Sequence, residues 1–350
     1  MNFDLLKRLC ETPGIPSREN RIRRLIVNEM TPLVDSLTID AMGSVIGHRK
    51  GCNGPRVMIA AHMDEIGFMV RYIDERGFLR LQPVGGFDAR VLTAQRVHVH
   101  GFCGDTLLGA LQPAAKPTHL LTDEERNRPP KLEDLFVDLG LTGEQVKAKV
   151  EIGDPVTLAR TAEIVGGNVL SKSLDNRLSV FVMLEALRQL SAHQCEIYAV
   201  ATTQEEVGLR GATTSAYHLK PDIGIALDVT IAGDYPGGVD ADQITRLGSG
   251  TAIKIMDSSL ICDPRLVRHF RDVAELHEIP YQLEMLPRGG TDAGAIQRSR
   301  GGVPAITLST PCRYIHTVNE MASVHDIECS IQLLKEWLHD GHTRSYSFED

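Results

Sequence analysis

At 350 residues the chain can bury a sizeable core, and its length suits two domains. Hydrophobic residues make up 42% and charged residues 24%, the balance of an ordinary soluble globular protein. The net charge of −9 argues against a nucleic-acid partner, and no apolar run nears the roughly eighteen residues that a membrane-spanning helix requires.

The first stretch, MNFDLLKRLCETPG, is charged and lacks the apolar centre of a secretory signal, so a cytoplasmic location is expected. RENRIRRLIVNEMTPLV repeats apolar residues at helical spacing: Ile22, Leu25, Ile26 and Met30. Its RIRRL run reads as a solvated helix face. PRVMIAAHMD reads as a buried strand with a polar end. From about Phe68 to about Gly166 the texture changes to short alternating runs broken by Gly and Asp, such as GFMVRYIDERGFLRLQPV, QRVHVHG and KVEIGDPVTL. Only TDEERNR and TGEQVKAKV suggest helices in this stretch, and RPPKLEDLF reads as a surface loop. Beyond it, DNRLSVFVMLEALRQLS is a helix with a broad apolar face. EIYAVATTQEE and DIGIALDV are short buried strands, PRLVRHFRDVAELHEI is an amphipathic helix, GVPAITLST is a further strand, and HDIECSIQLLKEWLHDG is a closing helix. Buried strands alternating with helices imply an α/β fold with a mostly parallel sheet flanked by helices. The expected organisation is a discontinuous α/β domain, residues 1–67 and 167–350, carrying a small inserted β domain over 68–166.

The seven cysteines, Cys10, Cys52, Cys103, Cys195, Cys262, Cys312 and Cys329, are scattered and form no C-x-x-C pair. They read as buried thiols of a reducing cytosol rather than a disulfide frame or a thiolate zinc site.

In an open α/β sheet, ligands bind beyond the carboxyl ends of the strands. The first strand delivers His62 and Asp64 there, the next Glu205 and Glu206, and the third Asp228. His316 follows the fourth within CRYIHT, and Asp175 opens a helix. Each has a plain reading when taken singly. Asp175 suits a helix N-cap, His316 a hydrogen-bonded loop histidine, Asp228 a turn cap, and the Glu205–Glu206 pair a solvated loop. Together they crowd several carboxylates at one edge, where uncompensated burial is costly. A pair of divalent cations removes that objection. Two histidines with carboxylates and no cysteine suit zinc, cobalt or manganese. His62 and Asp64 are two residues apart and share a face on an extended backbone, so Asp64 can accept the other ring N–H of His62. Where the strand ends and the backbone turns, one of the adjacent glutamates can bind metal while the other reaches the attacking water. His98 and His100 also share a face, but read as outward polar positions of a strand. RGGTDAGA lacks the lysine and spacing of a P-loop, and Asp292 within it suits a structural or substrate-facing place.

AHMDEIG, SLDNR, TTQEEVGLRGA, ALDV with AGDYPG, GGTDAGAI and RYIHTVNE occur in the order and at the spacing of one family. Over nearly its whole length the chain resembles the di-metal glutamyl/deblocking aminopeptidases that assemble into tetrahedral dodecamers. The resemblance implies a zinc-exopeptidase-like fold whose inserted β-barrel-like domain serves dimerisation and partly roofs the site. It also implies that His62, Asp175 and Asp228 hold one metal, and Asp175, Glu206 and His316 the other, with Asp175 bridging. Glu205 would be the general base and Asp64 the partner of His62. Two departures stand out. Asp175 is followed by Asn176 where some relatives have a second aspartate, and GALQPAAKPTHL is a looser match to the family's glycine-rich stretch.

The expected activity is release of single N-terminal residues from short peptides. It would use two divalent ions, zinc or cobalt, with manganese also compatible. The subunits would pair and build a dodecamer, with no nucleic-acid or membrane partner. Three other readings stand beside this one. Acyl-amino acids or peptide C-termini could be cleaved on the same metal core, or the fold could serve as a non-catalytic scaffold. A polysaccharide hydrolase is disfavoured by the adjacency of Glu205 and Glu206 and by 5% aromatic residues.

Overall fold

A computed structural model describes the chain except for residues 117, 128, 238, 240–242, 347, 349 and 350. Residue 117 of GALQPAAKPTHL and residue 128 of TDEERNR thus lie outside the described residues. The apolar run PRVMIAAH forms the strand Arg56–His62, buried from Val57 to its end. The strands Glu196–Thr202 and Ile223–Ile231 flank it, both parallel to it. Ala305–Arg313 extends the parallel set beyond Ile223–Ile231. All four are buried almost throughout, which is why they read as continuous apolar runs and not as alternating ones. Antiparallel strands widen the sheet at both flanks. Val45–Arg49 and Ser36–Ile39 lie beyond Glu196–Thr202. Glu320–Ser323, Asn168–Ser171 and Glu163–Val165 lie beyond Ala305–Arg313. Thr251–Met256, with Tyr281–Met285 beside it, branches from the same strand.

Successive side chains of Arg56–His62 point to opposite faces. Val57, Ile59 and Ala61 join the main core, with Leu178, Phe181 and Met183 of the helix Leu174–Gln189. Met58 and Ala60 join a smaller cluster under Ala212 and Ala216 of Arg210–Leu219 and Ile296 of Asp292–Gln297. The helices Phe3–Glu11 and Val324–Asp340 pack beside Leu174–Gln189. Arg177, fully buried, locks the first of these in place. Its guanidinium donates to the carbonyls of Leu9 at 2.5 Å, Thr12 at 2.7 Å and Gly14 at 3.3 Å.

After His62 the chain builds a closed barrel of six strands: Gly67–Ile73, Leu79–Val84, Arg96–His100, Thr106–Pro113, Leu135–Asp138 and Pro155–Leu158. Its separate core includes Phe68, Val70, Val97, Val99, Leu111, Val137 and Val156. RPPKLEDLF is therefore not simply a loop, since Leu135 and Phe136 start a barrel strand. Short helices stand at Asp123–Asn127 and Gly143–Lys147. Val318, a few residues past His316, inserts into the barrel core and couples that loop to the barrel. Five of the cysteines are buried as expected, but Cys52 and Cys103 are exposed. Among the described residues no helix is long and apolar enough to cross a membrane.

Candidate metal centre

Strand register levels the functional ends. Thr202 stands opposite His62, and Ala226 opposite Ala60, so Asp228 lies level with His62. Beyond Thr202 the backbone turns through Gln204, at φ 55°, and presents Glu205 and Glu206. Asp64, fully buried, fixes that turn. Its Oδ1 accepts the Glu205 N–H at 3.0 Å and its Oδ2 the Glu206 N–H at 3.2 Å. Asp64 itself does not make the imidazole bond expected of its carboxylate. His62 Nδ1 lies 3.1 Å from the Asp64 backbone carbonyl and 3.7 Å from its Oδ1. The carboxylate takes the two glutamate amides, and the backbone carbonyl accepts the ring N–H.

With Nδ1 so engaged, His62 Nε2 faces Asp175 Oδ1 at 3.1 Å, Glu205 Oε2 at 3.8 Å and Asp228 Oδ1 at 4.0 Å. Asp175 and Asn176 are non-helical at the start of Leu174–Gln189, and the peptide bond between them is cis. Asp175 does not act as an N-cap. Its second oxygen, Oδ2, lies 3.4 Å from His316 Nε2, which is also 3.2 Å from Glu206 Oε1. A Cβ built on Gly86 would come 3.5 Å from His316 Nδ1, so the rim of the barrel lies against this imidazole.

Asp175 Oδ1 and Glu206 Oε1 are buried and have no hydrogen-bond partner, although imidazole nitrogens lie 3.1 and 3.2 Å away. Close approach without donor–acceptor alignment is the geometry of groups that share a third atom. The ligand atoms of His62, Glu205 and Asp228 lie within 4.8 Å of one another, as do those of His62, Asp175 and Glu206. Buried oxygen and nitrogen donors with no cysteine thiol among them fit divalent zinc, cobalt or manganese.

Proton affinities express the same crowding. Burial pushes Glu205, Glu206 and Asp228 above the usual carboxylate range, and neighbouring carboxylates add to it. Burial opposes charge on the imidazoles, but the carboxylates win. His62 is held well above its ordinary range, by Glu205 first, and His316 is raised to about 11 by Asp175 and Glu206. Asp175 is pulled the other way. Burial works against its charge, but the two imidazoles hold it below the ordinary aspartate range. The cluster demands positive charge. Divalent ions would supply it while leaving the imidazoles neutral as ligands.

All seven residues singled out in the sequence lie in this cluster or touch it. Two more carboxylates border it, Glu320 by direct hydrogen bonds and Asp292 through Thr202. Asp292 is buried, and its Oδ2 accepts the Thr202 hydroxyl at 2.5 Å while its Oδ1 has no partner. Burial pushes it up to about 6. Glu320, also buried, accepts the Asp175 N–H at 3.0 Å and the His316 N–H at 2.8 Å. The only sequence signal for it is its place at the end of RYIHTVNE. His98 and His100 stand apart from the cluster. His98 lines a cavity of about 560 Å³ with Arg96, Arg160 and Lys172. His100 is buried, not outward, and its Nε2 lies 3.0 Å from the Thr157 hydroxyl. Arg21 of the RIRRL run reaches its other nitrogen at 3.3 Å.

Two imidazoles and a set of carboxylates gathered at the carboxyl ends of parallel strands make the site of a hydrolytic enzyme. The chain belongs to the M42 glutamyl aminopeptidase family, whose model matches residues 43–333, and is thus an aminopeptidase, a hydrolase of peptide bonds. It is 36% identical to the lysyl aminopeptidase of Pyrococcus furiosus over 97% of each chain. Among solved structures it is similar to an aminopeptidase from the archaeon Desulfurococcus kamchatkensis, at 40% identity and a TM-score of 0.92, covering 96% of this chain and 94% of that one. The TET1 peptidase of Pyrococcus horikoshii, described as able to assemble into a tetrahedron or a large octahedral shell, shares 30% identity at a TM-score of 0.85, over 97% of this chain and 99% of that one.

Proposed function

We propose that the protein is a metal-dependent aminopeptidase that removes single residues from the free N-termini of short peptides, using a pair of divalent ions. His62, Asp175 and Asp228 would hold one ion, and Asp175, Glu206 and His316 the other. The observation that carries this reading is the placement of Asp175. One of its oxygens lies 3.1 Å from His62 Nε2 and the other 3.4 Å from His316 Nε2, as a bridging carboxylate requires. When bound, the two ions lower the pKa of water and polarise the scissile carbonyl.

The chain's own residues supply the remainder. Glu205 takes the proton from the attacking water and returns it to the leaving amine. Burial raises its proton affinity above that of a surface glutamate, which suits a base working near neutral pH. Glu205 falls within ligand distance of His62 and Asp228, and Glu206 within that of His62 and Asp175. The position of Glu205 beside His62, with Glu206 beside His316, supports the division of roles. Asp64 holds both glutamates through their backbone N–H groups. The carboxylates of Asp175, Glu205, Glu206, Asp228 and Asp292 outnumber the charges of two divalent ions, and so favour a substrate with a protonated α-amine.

A panel of aminoacyl amides and their N-acetylated counterparts, given to metal-reconstituted enzyme, tests the reading. Turnover of the free amines alone is expected. Turnover of the acetylated compounds alone would point to acyl-amino-acid chemistry, and β-glucan cleavage by metal-stripped protein would point to a polysaccharide hydrolase.

The barrel is the proposed dimerisation domain, and the assembled form a dodecamer. Tyr72, Phe102, Leu108 and Ile152 are more than half exposed on its outside, which is apolar area suited to contact with a second copy. Seven free thiols suit a cytoplasmic setting. Light scattering is expected to give at least twice the 38.5 kDa of one chain, rising to a dodecamer when metal is bound. A monomer with its metal sites filled would contradict this.

A further inference from the structure

Two buried carboxylates in the centre perform matching tasks. Asp64 holds the segment carrying Glu205 and Glu206 by accepting both amide N–H groups. Glu320 does the same between two segments far apart in sequence. Its Oε2 accepts from Asp175 and its Oε1 from His316. Neither of those segments has regular geometry to hold it. Asp175 lies outside helical φ/ψ, and His316 has φ 65°, a left-handed conformation unfavourable for a side chain with a Cβ. Glu320 itself is anchored, because it begins the strand Glu320–Ser323 and stands opposite Ser171 in the sheet.

We propose that Glu320 is a positioning residue for the metal shared by Asp175, Glu206 and His316: by clasping the backbones of Asp175 and His316 with one oxygen each, it sets the span across which that ion binds. The inference rests on the two-metal reading above. Nothing comparable joins Glu320 to His62 or Asp228, so the other ion meets it only through the shared Asp175 and depends on it less. The clasp needs two acceptor oxygens at full reach. Glutamine offers one acceptor and turns an NH₂ donor towards the second N–H. Aspartate keeps the charge but is one methylene too short to hold both.

The test is titration of metal-stripped protein with cobalt(II). Visible absorption and metal counting by mass spectrometry report stepwise occupancy, and light scattering and circular dichroism confirm the fold. Wild type is expected to take up two ions. Glu320→Gln and Glu320→Asp are each expected to change the first affinity only slightly, through Asp175, and to weaken the second by about 10–100-fold, the usual effect of losing a group that orients a ligand. The cobalt spectrum should change mainly for the second ion, and excess metal should restore kcat. If one variant fails to fold, the other carries the test. Unchanged second-site affinity in the folded variants would overturn the proposal. So would equal weakening of both sites, which marks a general structural role, or full affinity in Glu320→Asp, which marks charge alone. Wild type that takes up no metal would refute the two-metal reading itself, and the inference with it.

Discussion

Glu205→Gln is expected to lower turnover by about 10²–10⁴-fold, the scale of a lost general base, with both metals still bound and KM little changed. Glutamine keeps the shape of the side chain and removes only the charge and the basic oxygen. The backbone N–H of residue 205 still donates to Asp64, so the loop bearing Glu206 stays in place. Added metal should not restore activity. Glu206→Gln is expected to behave in the opposite way. Glu206 Oε1 lies 3.2 Å from His316 Nε2, and an amide there is a poor metal ligand. Bound metal should fall below two per subunit, and excess metal should recover part of the activity. Metal counting beside steady-state kinetics separates the two cases. Loss of metal in Glu205→Gln but not in Glu206→Gln would reverse the assigned roles.

Asp175→Asn is expected to cost the most among the ligands, because each of its two oxygens lies close to a different imidazole. Its Oδ1 lies 3.1 Å from His62 and its Oδ2 3.4 Å from His316. An amide in its place keeps one oxygen and puts an NH₂ group where the other was, so one ion loses a ligand outright. The remaining site also loses negative charge, since Asp175 is the one carboxylate of the cluster held below its ordinary range. A metal pair contributes several kcal/mol to the transition state, so turnover should fall by about 10³-fold or more. Excess metal should recover little of it, unlike in Glu206→Gln. A variant retaining two ions and more than a tenth of wild-type turnover would remove Asp175 from the bridging position.

What could be read from the sequence, and what could not, follows from burial chemistry. Arg56–His62, Glu196–Thr202, Ile223–Ile231 and Ala305–Arg313 are sheathed on both faces, so their residues are apolar and continuous. Thr251–Met256 and Tyr281–Met285 escaped notice because a buried ion pair interrupts them. Lys254 and Glu284 are both fully buried and bonded to each other, so TAIKIM and YQLEM look too polar for core strands. Arg210–Leu219 escaped for another reason. It packs through the small residues Ala212, Ser215 and Ala216, which leave no strong apolar stripe.

The site was more legible than its supports. His62, Glu205, Glu206, Asp228 and His316 sit at or just past strand ends and Asp175 opens a helix, and all six bring side chains of diagnostic types together. Asp64 and Glu320 act on backbone N–H groups, and a backbone contact leaves no mark in residue type or spacing. For Asp64 the residue is legible but its partner is not, because its carboxylate takes two backbone amides while the imidazole takes its backbone carbonyl. His100 looked outward by alternation alone. It lies in the crevice where Thr157 and Arg21 meet it, a contact that no local pattern carries.

In the proposed mechanism, two ions held across Asp175 drive peptide-bond hydrolysis. The most direct test is a single titration. Metal-stripped protein receives zinc or cobalt in known equivalents, while bound metal and turnover of a free-amine aminoacyl amide are measured on the same samples. Turnover is expected to be negligible without metal and to rise to its maximum as two ions per subunit are bound. Full turnover in the stripped protein, or no turnover on any free-amine substrate with two ions bound, would contradict it.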